Sequence, residues 1–351
     1  MTPTLWRLVA GGAGVALAVA LTGCNDPGVR DASSGEDGTL RISAGIASVS
    51  SLNSINAQLL WADPSLAEAH NLEIDWMDFG GSSPNCWTAV IAGEVDLCVA
   101  SPAGATAAIA EGQELVFVTS LTDVMSELVV SPELAAAAGG PDAPVEERLA
   151  ALAGATIATS NLGTSHAAYL DLMLDRVGLR FGEEVNALTL TDPVAMIEGI
   201  KNGQFDGAIW TVGSFETGIA AGDVVRLIST PAGDEPRLQG VPFVIAAGNK
   251  AWVDANTDAV DAFRAALNDA AAAIVENPDD AATKLKAEFF PDMEESLFRS
   301  GFEQVVPLIN MDGKVTEEAW QLNLDILQQS NENSLEGSGF DTESIYPAMR
   351  G

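Results

Sequence analysis

Positive charge is scarce in this chain. It carries 16 Lys and Arg against 50 Asp and Glu, a formal net charge of −34 over 351 residues. Such an acidic surface repels phosphate backbones, which excludes nucleic acid as a partner. The same balance suits an exported acidic protein and a protein adapted to high salt equally well. Histidine and cysteine are nearly missing too, with two His and three Cys. None has metal-ligand spacing, so neither a metal nor another cofactor is expected. A Walker loop and a dinucleotide fingerprint are absent. The apolar run Leu8–Leu21 is too short to span a bilayer comfortably. What remains is globular: 47% of residues are apolar and 33 are glycine, enough for two domains with cores of their own.

Arg7 precedes that apolar run, which ends in Leu21-Thr22-Gly23-Cys24. A basic start followed by an apolar stretch reads as an export signal over 1–23. Leu-Thr-Gly-Cys resembles the lipobox of bacterial lipoproteins, in which Cys24 would become the lipidated first residue. Acyl chains there would anchor the protein to a membrane face without spanning it. The polar stretch Asn25–Gly38 suits a flexible tether, making 24–38 a lipidated linker. With Cys24 set aside, Cys86 and Cys98 remain, either as a disulfide closing a short loop or as two buried thiols.

From Leu40 onward, short apolar runs alternate with helical patterns, which predicts an α/β fold with mostly parallel strands. Strands are expected at Leu40–Gly45, Glu73–Phe79, Val95–Ala100, Leu115–Ser120, Thr156–Thr159, Ala187–Leu190, Gly207–Trp210, Val225–Ser229 and Phe243–Ala247. Helical windows include Ser54–His70, Ala103–Glu111, Ser165–Val177 and Pro193–Asn202. After Val253 the chain reads as largely helical.

An internal repeat is more informative than periodicity. Ala92-Gly93-Glu94-Val95-Asp96 recurs as Asn202-Gly203-Gln204-Phe205-Asp206, and Gly112 recurs as Gly222 at the same offset. Each copy reads helix, Gly turn, Asp, buried strand, loop, helix, Gly turn. Two equivalent α/β halves would leave a cleft where strand carboxyl ends meet helix amino ends, a place suited to an anion or a carbonyl. The loops that fit are Ser48 in Gly45–Ser48, Gly81 and Ser82 in Gly80–Ser83, Ser101, and Asn161, Thr164, Ser165 and His166 in Asn161–His166. Trp210, at the end of its strand, could wall the cleft or belong to the core. Asp96 and Asp206 are expected to hold turns rather than ligand. Arg237 is a weak counter-ion candidate, with Asp234 or Glu235 as an ordinary surface partner.

Several of these pieces resemble one family. Leu66–Ile74, Ala92–Asp96, Gly163–His166 and Gly203–Trp210 succeed one another as in the substrate-binding lipoproteins of nitrate/sulfonate/taurine ABC importers. That family shares the type 2 periplasmic-binding-protein fold with thiamine-pyrimidine precursor binders. Asn71, where the family has Gly, and Thr211-Val212 after Trp210 depart from its pattern. The resemblance implies a two-lobed α/β fold with the ligand cleft between lobes. Lobe I would be 39–125 and 246–351, and lobe II 126–245, with hinge strands near Glu127–Ser131 and Val241–Ala246. It implies a non-enzymatic, exported, lipid-anchored monomer that works with an ABC permease and ATPase. The small polar ligand or oxyanion, sulfonate- or taurine-like, would be trapped by lobe closure.

Two other readings compete. Gly163-Thr164-Ser165-His166-Ala167 begins like a nucleophile elbow but lacks the final Gly, and no second well-placed His offers a base for a hydrolase or a pyrimidine-forming enzyme. A tethered ligand sensor would use the same cleft.

Overall fold

A computed structural model describes residues 33–34, 38–160, 162–329 and 333–351. The expected signal segment, Cys24 and Asn161 lie outside the described residues. In the stretch read as a tether, Ser33–Ser34 forms a short strand, β1, paired antiparallel with Leu40 and Arg41.

Strands β2 (Leu40–Ile46), β3 (Leu72–Asp78), β4 (Leu97–Ala100) and β5 (Leu115–Asp123) alternate with helices Ile55–Ala62, Ser65–Glu68, Ser83–Ile91 and Pro102–Ala110. Strands β6 (Ser126–Val130), β7 (Thr156–Thr159), β8 (Asn186–Thr189), β9 (Gly207–Thr211) and β10 (Val225–Ser229) follow, with helices Ser165–Asp175, Pro193–Lys201 and Glu216–Ala221 among them. After β11 (Pro242–Asn249) the chain is helical, including Thr257–Glu276, Glu295–Val305 and Glu317–Gln329. The single helix expected over Ser54–His70 is two helices. Pro64 has no N–H to donate and restricts Asp63, so the first ends at Ala62.

The first sheet has the order β1-β2-β4-β11-β5, with β3 also on β2, and the second has β10-β6-β9-β7-β8. The expectation of mostly parallel strands needs correction. β11 runs antiparallel to β4 and β5, and β6 runs antiparallel to β9 and β10. The physical reason is where these two strands begin. The chain leaves β5 at Asp123 and enters the second sheet at Ser126, and it leaves β10 at Ser229 and enters the first at Pro242. The parallel strands end at the cleft between the sheets. A strand that starts there must run the other way. Both strands expected near the hinges therefore lie wholly inside one sheet: β6 in the second, β11 in the first.

The repeat is visible atom by atom. Gly93 and Gly203 both take positive φ, 71° and 65°, and end their helices through N–H bonds to Val90 and Ile200. Asp96 Oδ2 then accepts the Ser43 N–H of β2 at 2.7 Å, and Asp206 Oδ2 accepts the Thr156 N–H of β7 at 2.7 Å. Each carboxylate ties the turn before a strand to the strand beside it. Gly112 and Gly222 repeat the left-handed ending one helix later. Asn71, at φ 54°, occupies the same kind of conformation without being Gly, which Asn tolerates best among larger residues.

The largest core fills the first sheet, its helices and the C-terminal helices, with Phe117, Phe263, Phe298 and Trp320 fully buried. Two smaller cores line the faces of the second sheet. Cys86 and Cys98 form a disulfide with Cα atoms 5.9 Å apart, which ties helix Ser83–Ile91 to β4. Among the described residues no helix is long and apolar enough to cross a membrane, and no group of His, Cys, Asp and Glu could hold a metal ion.

Candidate functional site

Four helices begin at the cleft between the sheets: Ile55–Ala62 behind Ser54, Ser83–Ile91 behind Ser82, Pro102–Ala110 behind Ser101, and Ser165–Asp175 behind Thr164. Each N-cap is Ser or Thr, as helix starts favour. None of the four has an acid in its first turn. Most helices elsewhere do, at Glu133, Glu146, Glu216, Asp258, Asp279, Glu295 and Glu317, although Pro193–Lys201 and Lys250–Ala255 do not. In so acidic a chain, this leaves the positive ends of four helix dipoles uncancelled at one place.

A cavity of about 40 Å³ lies where they converge. Its lining includes Ser48, Gly81, Ser101, Thr164, Ser165, His166 and Trp210, all expected from the sequence. It also includes Ser83, from the expected loop Gly80–Ser83, and Asn53, Ser54, Ser160 and Phe243, which were not expected. Among the described residues no Asp, Glu, Lys or Arg lines it. Ser82, by contrast, is outside the lining; its hydroxyl accepts the Asn85 N–H at 3.3 Å and caps its own helix. Ser54 carries the same Ser-before-helix signal as Ser82, and that signal could have found it. Phe243 could not be found locally, because it reaches the cleft on the strand that crosses from the other sheet.

The two halves meet inside this site. Ser101 Oγ and Ser165 Oγ are 2.8 Å apart. Gly81, at φ 92°, has its N–H on Ala47 O at 2.7 Å, and a Cβ there would lie 3.4 Å from Thr191 O. Behind the lining, Trp87 is buried and its Nε1 donates to Ser101 O at 3.1 Å, fixing the end of β4. A side chain at Gly104 would strike its indole, with Cβ 2.7 Å from Cδ1.

His166 does not supply charge. Nδ1 lies 2.9 Å from Ser126 Oγ and Nε2 lies 3.5 Å from Thr211 Oγ1. The ring stacks on Trp210 at 5.5 Å and tilts against Phe243 at 4.8 Å. Burial in this apolar sandwich pushes its pKa down to about 3, so the imidazole is neutral at physiological pH. Trp210 is 5% exposed and its Nε1 is a buried donor with no hydrogen-bond partner. A buried indole N–H normally finds an acceptor.

Arg237 is not part of the site. It pairs with Glu235 at 2.7 Å and donates to Leu172 O, the ordinary reading of that residue. Asp78 and Asp192 accept the N–H groups of Gly80 and Val194, and neither lines the cavity. Trp252 and Trp320 are core residues, while Trp61 and Trp76 stack at 5.8 Å on the outer side of the first sheet.

The two sheets, the exchanged strands and the cleft at strand ends define a periplasmic-binding-protein fold. An NMT1/THI5-like family model matches residues 70–281, and the chain belongs to that family. Among solved structures the chain is similar to the aliphatic sulphonate binding protein SsuA of Escherichia coli, with 18% identity and TM-score 0.65, covering 82% of this chain and 91% of that one. It is similar as well to the alkanesulfonate-binding protein SsuA of Xanthomonas axonopodis pv. citri bound to MOPS, with 15% identity, TM-score 0.68 and coverage of 89% and 98%. The nitrate-binding protein NrtA of Synechocystis PCC 6803 aligns with 14% identity, TM-score 0.58 and coverage of 76% and 69%. No curated protein matches the sequence.

Proposed function

We propose that this chain is the solute-binding component of an ABC importer, and that it captures a small oxyanion, sulfonate- or taurine-like, between its two halves. The observation that carries this reading is the convergence of four acid-free helix starts on a cleft lined by hydroxyls and without charged side chains. An anion held there is stabilised by aligned N–H dipoles and neutral donors, with no counter-cation needed. A cationic ligand would find no carboxylate. The sulfonate- and nitrate-binding proteins of the same fold support the choice of oxyanion.

Ser48, Gly81, Ser101, Thr164, Ser165 and Trp210 are the proposed ligand contacts. His166 shapes the wall, because its ring nitrogens already face Ser126 and Thr211. The two bodies that close on the ligand are residues 39–125 with 242–351, and 126–241, the second boundary moved from 245/246 because all of β11 belongs to the first sheet. The protein is exported as a monomer and held by lipid on Cys24 at the outer face of the cytoplasmic membrane, where a permease and its ATPase receive the closed form. Catalysis has no support in this geometry: Ser165 Oγ faces Ser101, whereas His166 faces Ser126, which does not line the cavity.

Thermal shift and calorimetry with ethanesulfonate, taurine, nitrate, an aminopyrimidine and a set of amino acids test the ligand class. Saturable stabilisation by a sulfonate or nitrate is expected. Binding of an amino acid or pyrimidine alone would overturn it. Mass spectrometry of the membrane-extracted protein tests acylation of Cys24.

A further inference from the structure

A buried charged cluster lies beside the cleft without lining it. Glu127 of β6 is fully buried. Its carboxylate accepts the Gly213 N–H at 3.0 Å and pairs with Arg226 of β10 at 2.5 Å. Arg226 also holds Glu216, the first residue of helix Glu216–Ala221, at 2.5 Å. Two carboxylates thus share one guanidinium, and the Glu216 oxygens are met by further donors.

Those donors come from the other half of the molecule. Glu216 accepts from Ser300 Oγ at 2.9 Å and from Gln304 Nε2 at 3.1 Å. Ser300 and Gln304 sit on helix Glu295–Val305, whose Phe298, Phe302 and Val305 belong to the core of the first sheet. Next to this contact the backbones of the two halves touch. A Cβ at Gly213 would lie 2.8 Å from Gly301 Cα, and a Cβ at Gly301 would lie 3.0 Å from Gly213 Cα. Gly301 also packs near Leu52, adjacent to the cavity-lining Asn53 and Ser54. Gly213 itself is three residues beyond Trp210.

From this geometry we infer that Glu216 with Ser300 and Gln304, seated by the Gly213–Gly301 contact, is a latch that holds the two halves together and sets ligand affinity from outside the binding cleft. The inference rests on the proposed closure of two bodies. Parting the halves would take both neutral donors from a carboxylate that is 7% exposed, while Arg226 and Glu127 stay with it on the second sheet. The bonds that break on opening are therefore the ones to Ser300 and Gln304. Glycine at both 213 and 301 is what lets the backbones come close enough for those side chains to reach.

The test uses the double variant Ser300→Ala/Gln304→Ala, which leaves the Glu127–Arg226–Glu216 cluster intact, and Gly301→Ala, which wedges the backbones apart. Small-angle scattering without ligand reads closure. Both variants should increase the radius of gyration relative to wild type. Calorimetry with ethanesulfonate should show affinity weakened about tenfold, and Ser300→Thr should retain wild-type behaviour. An unchanged radius of gyration in both variants, with only the melting temperature lowered, would overturn the latch and leave a static support. Absence of ethanesulfonate binding to wild type would count against the proposed ligand, while the scattering comparison still decides the latch.

Discussion

Ser101 Oγ and Ser165 Oγ meet at 2.8 Å across the cleft, one from the loop after a strand of the first sheet, the other from the first turn of a helix on the second. Each hydroxyl sits at a helix start, and each partners the other half of the molecule. An oxyanion entering between them would accept from both. Ser101→Ala and Ser165→Ala should each weaken ethanesulfonate binding by about tenfold, the worth of one hydrogen bond to a charged group, while leaving the melting temperature within a few degrees. Calorimetry beside a thermal melt separates the two effects.

Trp210 offers an indole N–H that is buried and unpaired in the protein itself. Trp210→Phe keeps most of the apolar wall and removes only that donor. Affinity should fall about tenfold to a hundredfold with Phe, and stability should change little, because no internal hydrogen bond is lost. Equal affinity in Trp210→Phe and wild type would show that the N–H does not reach ligand.

The imidazole of His166, held down to about 3 by burial, stays neutral in the folded chain, while the unfolded chain takes up a proton below about 6.5. The unfolded state then binds more protons, so stability is lost as pH falls from 6.5 toward 3, by up to about 1.4 kcal/mol per pH unit from this group. His166→Gln should remove that slope in denaturant titrations at several pH values. Ligand affinity should show no titration of His166 between pH 6 and 8.

Asp123, where the chain leaves the first sheet, behaves oppositely. Burial raises its pKa to about 6, so the folded chain keeps a proton that the unfolded chain gives up near 3.8. Its stabilising contribution is present below about 4 and is lost as pH rises through 6. Asp123→Asn should stabilise the protein by about 3 kcal/mol at pH 7 and by little at pH 4, measured by urea unfolding.

The disulfide between Cys86 and Cys98 joins the helix that brings Ser83 to the cavity and the strand that leads into Ser101. Cys86→Ser/Cys98→Ser should cost about 3 kcal/mol, read as a lower urea midpoint. The same loss should follow reduction of the wild-type protein.

Much of this protein is local and so legible in its residues. The left-handed turns at Gly93 and Gly203, the break at Pro64 and the cap of Ser82 on its own helix act within a few positions of themselves, and their roles follow from conformation and capping. The likeness of these pieces to one family of binders is legible for the same reason. Phe243 and the antiparallel course of β6 and β11 are not local. They depend on which sheet a strand joins, and an apolar run reads alike in either direction.

Sequence alone determined the two α/β halves, the hydroxyl residues at the helix starts beside the cleft, and the scarcity of cations. Only the tertiary structure decided that His166 is locked between Trp210 and Phe243, and that Cys86 bonds Cys98. It also decided that Glu216 spends its second oxygen on the opposite half. Each of these is a contact between residues brought together by the crossing of strands, and the free energy of such a contact lies in distances that no spacing along the chain encodes.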